Sequence, residues 1–285
     1  MTPTIRPIAA ADAAECGRII HAAFAAIADR HGFPRDFPSV EAGVGLARML
    51  AAEPGCYGVV AEAEGRVLGS NFLDERAPIG GIGPITVDPA VQNAGVGRRL
   101  MQAVIDRATT QKLAGVRLLQ DAFHNRSLCL YTSLGFITRE PISCLQGPPL
   151  GRQLPGYKVR PATAGDLPAC NAICRRVHGF ARSGEVEAAI GQGTARVVEH
   201  LGRVAGYATE IGYFAHAVGD TNEDVKALIA AAPAFAGPGF LVPTRNHDLF
   251  SWCLANGLKL VKQQTLMTIG LYNEPQGAWL PTILY

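Results

Sequence analysis

The sequence predicts an α/β protein in which one supersecondary unit occurs twice. Three observations lead there. Residues 82–108, IGPITVDPAVQNAGVGRRLMQAVIDRA, read as a short strand, a glycine loop and an amphipathic helix. Around this stretch, β-rich runs and helix-periodic runs follow one another as layered α/β units require. Short motifs of the first half also return in the same order in the second, and 285 residues suit two domains of ordinary size.

Taken in order, residues 4–8 form a first strand. Asp12 then begins a helix in which Cys16, Ile19, Ile20, Ala23, Phe24 and Ile27 share one face. HGFPRDFP at 31–38 is a turn-rich segment, followed by a second helix over 39–52. Residues 57–61 and 66–72 make a hairpin through Glu64-Gly65. In Gly80-Gly81-Ile82-Gly83-Pro84 the glycines favour a bulge and the proline cannot donate to a ladder. The strand that follows, Ile85, Thr86 and Val87, is therefore expected to be irregularly paired on one side, with N–H groups left free, and to end at the Asp88-Pro89 turn. Beyond the loop, Leu100, Met101, Val104, Ile105 and Ala108 line one helix face. A strand over 116–120 and a helix over 126–134 capped by Gly135 complete the unit, and Phe136 opens its last strands.

A glycine loop that feeds a helix lets an anion approach the unpaired N–H groups of the first turn. A tight connection with glycines chosen only for φ is the competing reading. Arg98 and Arg99 lie where the helix dipole disfavours cations, and a bound anion would offset that. Solvated arginines are the plain alternative. The loop lacks the Gly-Lys-Ser/Thr ending of a nucleotide-hydrolysing loop and the three-glycine dinucleotide fingerprint, so those chemistries lose support.

The spacing Gln-x-x-Gly-x-Gly after a strand ending Val-Asp-Pro resembles the acyl-CoA loop of the GNAT family of N-acyltransferases. Residues 128–136, LCLYTSLGF, resemble that family's Leu-Tyr-x-x-Leu-Gly-Phe signature at its usual distance. The resemblance covers residues 4 to about 147. It implies tandem GNAT folds, each a mixed, mostly antiparallel sheet flanked by helices, and acetyl-CoA as co-substrate of an N-acetyltransferase. It further implies that Ile85, Thr86 and Val87 meet the pantetheine arm, with the Val87 N–H as candidate oxyanion donor. Gln92, Asn93, Ala94, Gly95, Val96, Gly97 and Arg98 would hold the pyrophosphate. His124 stands where related sequences have Asn, so His124 or Asn125 would supply that contact, with Ser127 nearby. Phe33 and Phe37 would line the acceptor pocket, or form a hydrophobic hinge between two helices.

Acyl transfer from a thioester to an amine needs a neutral amine, a donor for the oxyanion and a proton for the thiolate. The resemblance puts Tyr131 in the third role; an aromatic packed on its helix face is the competing reading. Asp74, Glu75, Asp121 and His124 can each receive the amine proton, and Glu75 and Asp121 are named as candidate bases, each a solvated loop residue when judged singly. The acceptor is expected to be a small-molecule or peptide amine. A CoA-binding sensor without turnover, and an O- or S-acyltransferase, are the rival readings.

Twenty-six Lys and Arg against 24 Asp and Glu give a formal charge of +2, which offers no reason to propose a nucleic-acid partner. No apolar run approaches membrane length and the N-terminus has no signal pattern, so no membrane and a cytoplasmic location are expected. Seven scattered cysteines suit reduced thiols. Cys170, Cys174 and His178 share a helix face, but no fourth ligand is evident, so no metal is expected.

The repeat links Ile5-Arg6-Pro7, Asp12 and Cys16 with Val159-Arg160-Pro161, Asp166 and Cys170. Val59-Val60 and Gly65-Arg66-Val67-Leu68-Gly69 return as Val197-Val198 and Gly202-Arg203-Val204-Ala205-Gly206, and Leu134-Gly135-Phe136 as Asn256-Gly257-Leu258. The Gly/Pro-rich segment 146–156 is read as the boundary between a catalytic domain, 1–150, and a degenerate copy, 151–285. In the copy the glycine loop is replaced by 218–226, VGDTNEDVK, whose carboxylates repel a pyrophosphate and suit a self-capped helix. Cys253 stands in the place of Tyr131, and Asn246 in that of His124. The copy is then a structural partner, shaping the acceptor cleft or an oligomer contact.

Overall fold

The computed structural model describes residues 3–92 and 94–284. Contacts divide the chain into two compact units. One holds residues up to Ile137 with Met267–Leu271 and Leu284; the other holds Thr138–Leu266 and Tyr272–Ile283.

In the first unit β1 (Thr4–Pro7) is followed by α1 (Ala13–His31), α2 (Val40–Ala52), β2 (Cys56–Ala63) and β3 (Arg66–Asp74). Helix α1 stops at left-handed Gly32, and Ser39 caps α2 by accepting from the Ala42 N–H. Cys16, Ile19 and Ile20 of α1 are fully buried with Ala47 of α2, Val60 and Phe72, forming the core on one face of the sheet. β1 pairs with β2 and β2 with β3, all antiparallel. Glu64 and Gly65 turn the hairpin with φ of 52° and 72°, the left-handed pair that a tight hairpin needs.

The chain continues through β4 (Ile79–Ile82), β5 (Thr86–Val87), α3 (Val96–Thr110), β6 (Gly115–Asp121) and α4 (Asn125–Ser133). The glycines expected to mark a bulge instead lie within strand β4, and the break follows at Gly83-Pro84. Packing explains their place: a Cβ on Gly80 would lie 2.8 Å from the methyl carbons of Leu73 and Leu113, and one on Gly81 would lie 2.1 Å from the Leu284 carbonyl oxygen. The amphipathic face of α3 buries Leu100, Met101 and Val104 against Val116, Leu118 and Phe136, the second core of the unit.

Strand β7 (Ile137–Gln146) leads into the second unit, which holds β8 (Tyr157–Pro161), α5 (Leu167–His178), α6 (Ser183–Gly191), β9 (Arg196–His200), β10 (Arg203–Ala208) and β11 (Ala217–Gly219). It continues with α7 (Asn222–Ala231), β12 (Phe240–Pro243), α8 (His247–Ala255), β13 (Lys259–Gly270) and β14 (Ala278–Leu280). One sheet runs β14-β11-β10-β9-β8. β7 pairs with β12 from Ile142 to Leu145, whereas the end of β13 joins the first unit, where the Leu271 N–H donates to the Ala114 carbonyl. The two halves of the sequence thus exchange strands. For that reason the change-over at residues 137–138 precedes the 146–156 segment expected as the boundary.

The repeat is visible in side chains. Arg6 binds Asp12 and Glu62 (2.7 Å each), and Arg160 binds Asp166 (2.8 Å) and Glu199 (2.6 Å). Arg6 faces Val60 in its ladder and Arg160 faces Val197, so Val60 corresponds to Val197, one residue off the match of Val59-Val60 with Val197-Val198 expected from the sequence. The cysteines are free thiols. Cys170, Cys174 and His178 are buried on α5, and among the described residues no group of His, Cys, Asp and Glu is placed to hold a metal. No described helix is long and apolar enough to cross a membrane.

Candidate active site

Strand β3 carries two successive neighbours. Leu73 and Asp74 face Ile82 and Gly81 of β4, while Gly69 and Ser70 face Val87 and Thr86 of β5. β4 is also paired, in parallel, with β6 as far as Gly81 opposite Arg117, but among the described residues β5 pairs with β3 alone. The sheet therefore parts after β4.

The direction of the backbone in this opening follows from the ladder. Facing residues of an antiparallel pair alternate between exchanging both hydrogen bonds and exchanging none. Asp88 N–H donates to the Leu68 carbonyl at 2.8 Å, so Thr86 and Ser70 form the bonded pair and Val87 turns its N–H and C=O away from β3. On that open side the Val87 carbonyl accepts from Gln92 Nε2 (3.4 Å), and Gln92 Oε1 accepts from Arg126 Nη2 (2.5 Å). Ile85 and Val87 pack with Tyr131 in the core beneath α3 and α4. Thr86 points to the other face, its hydroxyl 3.4 Å from that of Ser70, so its side chain lies away from the face that carries Ile85, Val87 and Tyr131.

Helix α3 starts next to this opening. Its N-cap, Gly95, is left-handed (φ 76°) and has no side chain to cap with, and the first turn carries no acid. The first-turn N–H groups lack intrahelical partners and, among the described residues, side-chain partners too. A Cβ built on Gly97 would sit 3.7 Å from Val87 and 3.6 Å from Leu130, so α3, β5 and α4 converge at that glycine. Val96 is buried and anchors the turn, and Ala94 is exposed. The Arg98 side chain reaches away to Ser133 Oγ (2.6 Å). Arg99 has a guanidinium nitrogen buried without a partner among the described residues. The predicted contact Asn93 lies outside the described residues.

Tyr131, on α4, is 7% exposed and its ring centroid is 5.9 Å from that of Phe136. Burial first, and the charge of Asp121 second, raise its phenol well above the ordinary value. The hydroxyl keeps its proton at any physiological pH. Asp121 ends β6, half-buried. His124 is the N-cap of α4; burial first and the positive charge of Arg126 next lower its pKa below 6.5, against the opposing effect of Asp121. It is neutral at pH 7. Asn125 opens the helix and is exposed, and Ser127 Oγ donates to the His124 carbonyl (2.9 Å).

Two expected residues belong elsewhere. Glu75 grips Arg107 with both oxygens (2.6 and 2.9 Å), beside Tyr57. It follows the β4-paired end of β3, whereas Val87 faces Gly69 near the other end, a separation of about 20 Å along a strand. Glu75 is not a base for this site. Phe37 is buried in the core edge-to-face with Phe24 (5.2 Å), so it lines no pocket. Phe33 does reach the β6–α4 turn, stacking on Phe123 at 4.2 Å. Neither Phe123 nor Gln120 stood out in the sequence. Gln120 is buried and its Nε2 donates to the His124 carbonyl (2.9 Å) and Ser127 Oγ (3.1 Å), fixing the turn that presents His124. A polar residue at the end of an apolar strand was the only available signal.

In the second unit the helix matching α3 is closed. Thr221 Oγ accepts from the Asp224 N–H (3.4 Å), and Asp224 Oδ2 accepts from the Thr221 N–H (2.8 Å) and hydroxyl (2.6 Å), a capping box at α7. Asn246 caps α8, and Cys253 is fully buried, its thiol pushed up to about 12 by desolvation.

Residues 54–138 match the model of the GNAT acetyltransferase domain. A stretch of 78 residues is 36% identical to the mycothiol acetyltransferase of Nocardia farcinica, covering 26% of this chain and 26% of that relative. An acetyltransferase candidate from Pyrococcus horikoshii superposes with a TM-score of 0.74 at 16% identity, over 97% of this chain and 92% of the other. A tandem GNAT protein from the clavulanic acid biosynthesis pathway superposes with a TM-score of 0.57 at 15% identity, over 95% and 99%. At such identities the structural likeness is one of fold.

The position of His124 makes a pH prediction. Folded His124 holds its proton less tightly than unfolded His124, so its contribution to stability is present above pH 6.5 and is lost as pH falls through 6.5 toward the lowered value. NMR titration of the ring protons should give a midpoint below 6.5, and Arg126→Gln should raise it. An ordinary midpoint in the wild type, indifferent to Arg126, would contradict the assignment.

Proposed function

We propose, for a chain that carries a GNAT acetyltransferase domain at residues 54–138 within a tandem GNAT fold, that it transfers an acetyl group from acetyl-CoA to an amine of a small molecule or peptide. The observation that carries this reading is the uncapped N-terminus of α3, which meets the open edge of β5 and helix α4 at Gly97. An anion fits there because the donors have no other partner among the described residues and Gly95 and Gly97 place no side chain over them. The same region of the second unit is occupied by its own acids. The catalytic domain is therefore the first unit, and the second is a degenerate copy.

In this reading the loop from Gln92 to Arg98 and the first-turn N–H groups hold the pyrophosphate. The open edge of β5 holds the pantetheine amides, with Ile85 and Val87 packed beneath. The neutral amine attacks the thioester carbonyl, and the developing oxyanion accepts from the Val87 N–H. The carbon–sulfur bond then breaks, the thiolate takes the Tyr131 proton, and Asp121 receives the proton lost by the amine. Burial keeps the Tyr131 phenol protonated, so its proton is present when the thiolate forms, although the same burial weakens it as an acid. Phe33, stacked on Phe123, forms one wall of the acceptor side.

A screen of primary amines with acetyl-CoA, following release of free thiol, tests the reaction. Amine-dependent release is expected, whereas tight CoA binding with no release for any amine would favour a CoA sensor. Tyr131→Phe preserves the packing and should lower turnover by about 10²- to 10⁴-fold with little change in CoA affinity. Wild-type turnover in that variant, where chemistry limits the rate, would return Tyr131 to a packing role.

A further inference from the structure

The opening between β5 and β6 has two faces, and they are differently furnished. On one lie the glycine loop, Tyr131, Ile85 and Val87. On the other lie α1, α2 and Phe72, and this face also receives Leu284. If CoA occupies the first face, as the proposed function has it, an amine must reach the thioester from the second.

Leu284 stands where the sheet parts. Gly81 is the last β4 residue in register with β6, and its missing Cβ leaves room for the Leu284 carbonyl oxygen, which would lie 2.1 Å from such an atom. The Leu284 side chain continues to Gly83, passing 3.7 Å from where a Cβ would be. Both glycines flank the point at which β4 gives way to β5. The side chain is only half-buried, at the edge of the core rather than inside it. A side chain in that place borders the point where the sheet parts.

We propose that Leu284 forms a second wall of the acceptor side and sets the bulk of the amine admitted, an inference that rests on the CoA reading of the opposite face. Leu284 would be a specificity-determining residue for the first unit, acting by volume alone.

The test uses CoA adducts whose sulfur carries an acetamide of either methylamine or tryptamine, so that the CoA part supplies the anchor whatever the natural acceptor is. Calorimetric affinities are each referred to that of CoA for the same variant. In the wild type the tryptamine adduct should bind about tenfold or more weakly than the methylamine adduct, and Leu284→Ala should bring the two within about threefold. Gly81→Ala, which forces the Leu284 backbone to move, should shift the ratio in the same direction. An adduct ratio unchanged in both variants, or near one already in the wild type, would overturn the proposal. Failure of the wild type to bind CoA itself would overturn the CoA reading and this proposal with it, and the CoA titration identifies that case separately.

Discussion

The account rests on one interruption of pairing. β3 holds β4 and then β5 along its length, but β6 follows only β4. Pro84 has no N–H to give to a ladder and Gly83 has a φ of 140°, a backbone conformation that side chains rarely allow. The strand cannot continue evenly beside β6. Everything at the candidate site depends on that divergence: the outward N–H and C=O of Val87, the bond from Gln92 that takes up the carbonyl, and the approach of α3 to β5 at Gly97.

Duplication makes the same fold a comparison with itself. Both units carry the Arg–Asp–Glu cluster at the first strand and a closely similar succession of helices and strands, with β4 and β5 of the first answering to β11 alone in the second, so the scaffold has been kept. The helix termini have not. An uncapped helix end attracts an anion through partial charge and free donors together. At α7 a threonine and an aspartate use those donors and place negative charge where the anion would sit. A few residues of loop chemistry separate an open site from a closed one. The change of Tyr131 to Cys253 accompanies the closed helix end, the thiol being fully enclosed in the core.

What could be read from the sequence was local. Periodicity located α1, α3 and their buried faces, the Glu64-Gly65 pair located the hairpin, and the glycine spacing located the turn before α3. Each depends on residues close in the chain. What escaped was set by distant partners. Glu75 follows a strand near a plausible site, yet its charge is taken by Arg107, thirty-two residues on. Phe33 and Phe37 look alike in one turn-rich segment, and only tertiary packing sends Phe37 into the core and Phe33 to Phe123. The glycines of β4 read as a bulge because their reason, the passage of Leu284 across Gly81, lies at the far end of the sequence. The exchange of β7 and the end of β13 between units is equally non-local, so a boundary drawn from composition cannot contain it.

The central claim is that the chain binds one acyl-CoA, at the N-terminus of α3. Calorimetric titration of the intact protein with CoA addresses it, alongside Gly97→Val, which puts branched carbon over the first-turn donors at a position where the protein itself leaves ordinary contact distances. The account predicts one equivalent bound by the wild type and at least about tenfold weaker binding by the variant, with unchanged circular dichroism. Two equivalents bound by the wild type, or undiminished affinity in a folded Gly97→Val protein, would contradict it.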